Sequence, residues 1–157
     1  MQKITTFLTF DSQAEDAINF YTSIFKNSKI LSTSHYGEAG PGPKGSLMTA
    51  TFQLAGQQFM ALNGGPSFKF SQGISLFVNC ETQSEIDELW EKLSEGGQKV
   101  ACGWITDRFG VSWQIVPSIL GKLLNNKDAE KSKRVMNVML QMKKLDIKKL
   151  RQAYDQQ

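Results

Sequence analysis

Two stretches of this chain repeat one outline, and that repeat limits what the chain can fold into. Gly56-Gln57-Gln58-Phe59-Met60-Ala61-Leu62 and Gly110-Val111-Ser112-Trp113-Gln114-Ile115-Val116 each run from a glycine turn through two residues to a large aromatic and an apolar strand. The second stretch is introduced by Asp107, whose short side chain suits a turn, and Gly110 is free to adopt positive φ. It ends at Pro117, which has no N–H for a sheet ladder. The repeat extends backwards along the chain. Ser12 with Glu15, and Thr82 with Glu85, have the spacing of capping boxes, which satisfy the free amides of a helix start. Behind them, Ala17, Phe20, Tyr21 and Ile24 match Ile86, Leu89, Trp90 and Leu93 as apolar helix faces.

Strands complete each copy. Residues 3–10 and 73–79 are rich in β-branched and aromatic side chains and read as opening strands. After the first helix, residues 28–36, 46–54 and 58–63 read as three strands. After the second, residues 98–101, 103–106 and 112–116 do so, with Gly96-Gly97 closing the helix. The expected fold is α+β. Two tandem βαβββ modules, residues 1–66 and 67–117, form curved mixed sheets around a cleft, with a helical tail over residues 118–157, all in one compact unit. The loop at 37–45 contains glycines that invite a dinucleotide-binding reading, but no helix opens behind them. It reads as a connection between strands.

The tail has a different character. Ile119, Leu120, Leu123 and Leu124 predict a short helix. Asp128 can cap a second, with Val135, Met136, Met139 and Met142 on its apolar side, and Ile147, Leu150 and Tyr154 continue the pattern. The methionine-rich face is expected to pack on the body of the fold or on a second subunit. Lys143, Lys144, Lys148, Lys149 and Arg151 invite a nucleic-acid contact, but read better as the solvated face of amphipathic helices.

Composition excludes several function classes. A net charge of +3 over 157 residues is modest and gives little support to nucleic-acid binding, so no nucleic-acid partner is expected. No apolar run approaches the roughly 20 residues needed to cross a bilayer, and the N-terminal pattern is a strand rather than a signal peptide. Cys80 and Cys102 are too few for a disulfide framework. A cytoplasmic protein without a membrane partner is the expectation.

The two βαβββ copies and the Asp-x-x-Gly-x-x-Trp-x-Ile run in the last strand resemble the vicinal oxygen chelate superfamily, which includes glyoxalase, bleomycin-resistance and dioxygenase members. Phe20-Tyr21 with Ile24-Phe25, Met60 to Gly65, Cys102-Gly103-Trp104, 107–117, Arg134-Val135-Met136 and Lys143 to Asp146 narrow the resemblance. They look like the PhnB-like branch, labelled demethylubiquinone methyltransferase-like. The resemblance covers nearly the whole chain and implies paired modules enclosing a cleft, and a homodimer. It also implies that metal-dependent relatives take His and Glu ligands from the first and last strands of each module. Aligned by helix faces and turns, those positions fall near Thr6, Ser75, Met60 and Gln114.

Hydroxyls, a thioether and an amide are not a divalent-metal set, and the only histidine, His35, belongs to another strand. No metal and no cofactor are therefore expected. No strand, glycine-rich turn and helix stands ready for a methyl-donor nucleotide. No catalytic residue is assigned, since neither cysteine has an identifiable base beside it. The function expected is small-molecule binding. The alternatives are an enzyme acting on a small aromatic or oxygen-rich substrate, or a structural or regulatory dimer. The ligand-binding candidates are Gln114, Met60, Trp104, Asn63 and Phe77. Gln114 either meets a ligand or pairs with backbone, Met60 is a soft wall or core filler, and Trp104 stacks on a ligand or caps the sheet.

Overall fold

The computed structural model describes residues 2–156. The chain divides into two units, Met1–Lys69 and Phe70–Gln157. The first holds β1 (Thr6–Phe10), α1 (Ala14–Ile24), β2 (Lys29–His35), β3 (Leu47–Leu54) and β4 (Gln57–Asn63). The second holds β5 (Ser75–Cys80), α2 (Gln83–Ser94), β6 (Gln98–Lys99), β7 (Trp104–Thr106), β8 (Ser112–Pro117) and three helices, α3 (Leu120–Leu124), α4 (Ala129–Leu140) and α5 (Ile147–Asp155). Each unit has one four-stranded mixed sheet. The orders β1-β4-β3-β2 and β5-β8-β7-β6 are the same topology, so the duplicated βαβββ pattern is a duplicated architecture. In each sheet the first strand runs parallel to the last.

In the first unit, α1 packs on β3 and β4. Leu8, Phe10, Phe52, Phe59 and Ala61 of the sheet and Ala14, Ala17, Ile18 and Tyr21 of the helix are all buried. The buried face of α1 thus includes Ala14 and Ile18, while Phe20 and Ile24, expected on it, are half-buried. The expected Ser12–Glu15 capping box does not form. The helix begins at Gln13 without a side-chain cap, and Ala14 N–H donates to Asn63 Oδ1 at 2.9 Å. An acceptor from the end of β4 takes the place of the local one. The proline-broken loop bends over Tyr36, whose hydroxyl donates to Asn63 O at 2.5 Å. A methyl group on Gly42 would overlap the Tyr36 ring, so glycine there serves close approach rather than phosphate binding.

In the second unit the local signals hold. Thr82 Oγ1 accepts from Glu85 N–H at 3.2 Å, and Glu85 Oε2 accepts from Glu81 N–H at 2.9 Å. Ile86, Leu89, Trp90 and Leu93 are buried, and α2 packs on β8 and β7. The tail helices close a separate cluster of Val116, Leu120, Leu123, Val135, Leu145 and Leu150, with Met139 and Met142 against it. The tail therefore packs on the last strand of its own unit. Met136, expected on that apolar side, is 40% exposed instead. Asp128 caps α4, accepting from the N–H groups of Glu130 and Lys131, and Asp146 caps α5. Among the described residues, no helix is long and apolar enough to cross a membrane.

Candidate functional site

Asp107 shapes the approach to β8. It is 2% exposed. Its Oδ1 accepts from Phe109 N–H at 2.9 Å and Val111 N–H at 3.0 Å, and its Oδ2 from Trp113 Nε1–H at 2.9 Å. Its own N–H donates to Val111 O at 2.9 Å, closing the turn that Gly110 enters at φ +92°. One carboxylate thus sets the turn and anchors the indole of β8. Trp113 and Ile115 are buried beneath α2. Because side chains alternate along a strand, Gln114 is turned to the opposite face of the sheet.

On that open face the register assembles a row. Phe77 of β5 pairs with Gln114, and Trp104 of β7 pairs with Gln114 from the other side. Residues in register share a face, so three expected site residues from three strands are brought together. Phe77 is 53% exposed, and Gln114 and Trp104 are half-buried. Gln114 Nε2 donates to Ser75 Oγ at 2.9 Å. Its Oε1 has no donor among the described residues, which leaves one carbonyl acceptor on a strand flanked in register by Phe77 and Trp104. Ser112 and Thr106 continue the face beside Ser75. None of these side chains titrates near neutral pH.

Met60 and Asn63 belong to the other sheet. Met60 pairs with Phe7 of β1 and Thr51 of β3, on the face away from α1. The first-strand residue beside Met60 is thus Phe7. Thr6 is in register with Phe59 and lies on the helix side, one residue off the position that the helix faces and turns indicate. Phe7 is the residue that sequence reasoning missed. The signal was present as a second echo, since Ile4 and Phe7 are spaced as Ile74 and Phe77 are, and all four are exposed. Asn63 serves the fold. Besides its bond to Ala14, its Nδ2 donates to Leu47 O at 3.1 Å. Both ends of that amide are engaged.

Other titratable candidates lie elsewhere. His35 is exposed at the end of β2 and, with Glu15 of α1, lines a groove of about 210 Å³ on the helix side of the first sheet. Burial pushes the Cys80 thiol up to about 12, with the Glu85 charge adding to it, so it stays protonated and is no nucleophile at neutral pH. Cys102 donates Sγ–H to Met139 O at 3.6 Å.

Among the described residues, no three His, Cys, Asp or Glu side chains are grouped to hold a metal ion. The donors actually in register at the first and last strands are phenyl rings, a thioether and an amide. That set does not fit a hard divalent cation. The turns from β1 to α1 and from β5 to α2 contain no glycine, so neither fits the glycine-rich turn of a nucleotide-binding strand and helix.

Residues 2–116 match the family described as 3-demethylubiquinone-9 3-methyltransferase. The PhnB protein of Bacillus cereus, whose description carries the same methyltransferase name, is 44% identical. The match covers 74% of this chain and 100% of that one, with a TM-score of 0.69. Protein PA1353 of Pseudomonas aeruginosa is 22% identical, with 74% of this chain and 98% of that one covered at a TM-score of 0.62. The fosfomycin resistance protein FosX of Listeria monocytogenes, in complex with Mn(II) and dihydroxypropylphosphonic acid, is 17% identical. There, 72% of this chain and 90% of that one are covered at a TM-score of 0.52. At these identities PA1353 and FosX show a shared fold alone. No curated protein matches the chain.

Proposed function

Since the chain belongs to the PhnB-like, 3-demethylubiquinone-9 3-methyltransferase-like family of the vicinal oxygen chelate superfamily, we propose that it binds a small organic molecule without a metal, on the open face of its second sheet. The observation that carries this reading is the Gln114 amide. Its donor end is held by Ser75, while its acceptor end has no donor among the described residues, and Phe77 and Trp104 flank it in register on the neighbouring strands. A planar ligand with an N–H or O–H group meets both requirements: the rings stack on it and Oε1 takes its proton. The face has no charged side chain in its central rows, which favours an uncharged ligand over an anion. It also favours binding over catalysis, because Ser75, Phe77, Trp104, Ser112 and Gln114 include no acid or base that works near pH 7.

The test is a thermal-shift and fluorescence screen of uncharged aromatic compounds, with and without chelator. Gln114→Ala is expected to weaken a binder by about tenfold, the worth of one well-made hydrogen bond. Chelator is expected to leave binding unchanged. Binders indifferent to both Gln114→Ala and Trp104→Ala, or lost on chelation, would refute the reading.

The assembly proposed is a homodimer, motivated by Ile4, Ile74 and Leu140, which are 86%, 77% and 57% exposed. Light scattering is expected to give about twice the 17.6 kDa of one chain. A single species at the monomer mass would rule the dimer out.

A further inference from the structure

The segment between α4 and α5 is tied to the second unit in two places. At one, Cys102 N–H donates to Met142 O at 2.9 Å and Gly103 N–H donates to Lys143 O at 2.8 Å. Leu145, fully buried, lies so close that a methyl group on Gly103 would come within 3.0 Å of its Cδ1. At the other, Gln83 in the first turn of α2 grips the same segment with both ends of its amide. Nε2 donates to Leu145 O at 3.0 Å, and Oε1 accepts from Ile147 N–H at 2.8 Å. Nε2 also donates to Asp87 Oδ1 at 3.0 Å, where Lys144 Nζ arrives at 2.9 Å. Gln83, and then Lys144, hold the Asp87 carboxyl below its ordinary value.

The turn braced in this way is strained. Cys102 has φ +55°, a left-handed conformation costly for a residue with a Cβ, and Gly103 follows at φ +85°. Such a conformation persists only where its surroundings over-determine it. The bonds that do so are those to Met142 and Lys143, together with Ile115 N–H donating to Gly103 O at 2.7 Å. The next residue is Trp104, whose N–H donates back to Ala101 O at 3.0 Å. Freed of the C-terminal segment, Cys102 would relax out of the left-handed region and carry the indole with it.

We infer that residues 142–147, latched to α2 by Gln83, hold Trp104 in line with Gln114, and that Gln83 is a positioning residue for the ligand face. Its importance for binding rests on Trp104 contacting the ligand as proposed above. The positioning itself is measurable with no ligand present.

Acrylamide quenching of tryptophan fluorescence in the full chain reads it. Trp90 and Trp113 are 3% and 2% exposed, so quenching reports Trp104. Gln83→Ala is expected to raise the quenching constant about twofold, as a locally loosened turn exposes the ring. Arg134→Ala is the control. It removes bonds of 2.9 and 3.0 Å to Ala153 O and Tyr154 O, which join α4 to α5 away from the turn. It is expected to leave quenching unchanged, whatever it does to stability. Should Gln83→Ala not fold, Gln83→Glu decides the matter. It loses both donated bonds and faces the Asp87 carboxylate, so its quenching is also expected to rise. No rise in the folded Gln83 variant, or an equal rise in Arg134→Ala, overturns the inference. A failed ligand screen bears on the binding reading alone, because acrylamide is the only probe here.

Discussion

Asp107→Ala is expected to destabilise the protein by about 3–5 kcal/mol, the largest effect of any single side-chain truncation in the candidate site. Three N–H donors, from Phe109, Val111 and the Trp113 indole, end on one carboxylate that is 2% exposed. Removing it leaves donors without partners where water has little access, and each costs about 1–3 kcal/mol. Asp107→Asn separates charge from geometry. One oxygen can still serve Phe109 and Val111, but the NH₂ group then faces the indole N–H, donor against donor. An intermediate loss of about 2 kcal/mol is expected. Urea unfolding followed by far-UV circular dichroism measures both. A change below about 1 kcal/mol for Asp107→Ala would contradict the role given to this carboxylate.

The second large effect acts on the same turn from outside. Gly97→Ala is expected to cost about 3 kcal/mol or more, at the upper end for overpacking. A Cβ at Gly97 would overlap Thr106 O and lie 2.7 Å from Asp107 C and 2.9 Å from Asp107 Cα. All three are backbone atoms, so no side-chain rotation relieves the contact. The strand end carrying Asp107 would have to move away from the end of α2. Gly121→Ala is the matched control, because nothing lies within 4 Å of its Cβ position and it sits inside α3. That change is expected to be neutral or stabilising, by up to about 1 kcal/mol. Thermal unfolding of the two variants side by side makes the comparison. Equal midpoints would mean that the close approach of Gly97 to the Asp107 backbone is not what holds the turn.

These two residues show how unevenly the site was legible in the sequence. Asp107 and Gly110 announce a turn because turn chemistry is local, and the turn is there. The number of bonds converging on Asp107 depends on Trp113 being folded back under α2. Phe77, Gln114 and Trp104 are candidates in the sequence one residue at a time. Their alignment in a single row is a statement about register across three strands. Asn63, named beside them as a candidate, is occupied by the fold, since its amide caps α1 and joins Leu47. Phe7 was overlooked although Phe77 has the same spacing from an exposed isoleucine.

By itself the sequence determined the two βαβββ units, the helical tail and the glycine turns, because periodicity and cap residues act within a few positions of each other. Tertiary structure alone decided that Asn63 rather than Ser12 receives the first amide of α1. It decided that Phe7 rather than Thr6 stands beside Met60, and that Gln114 has one end bound and one end free. Each of those outcomes depends on a pairing between strands or loops far apart in the chain. Sliding such a pairing by one residue sends every side chain of the strand to the opposite face while leaving the local pattern untouched.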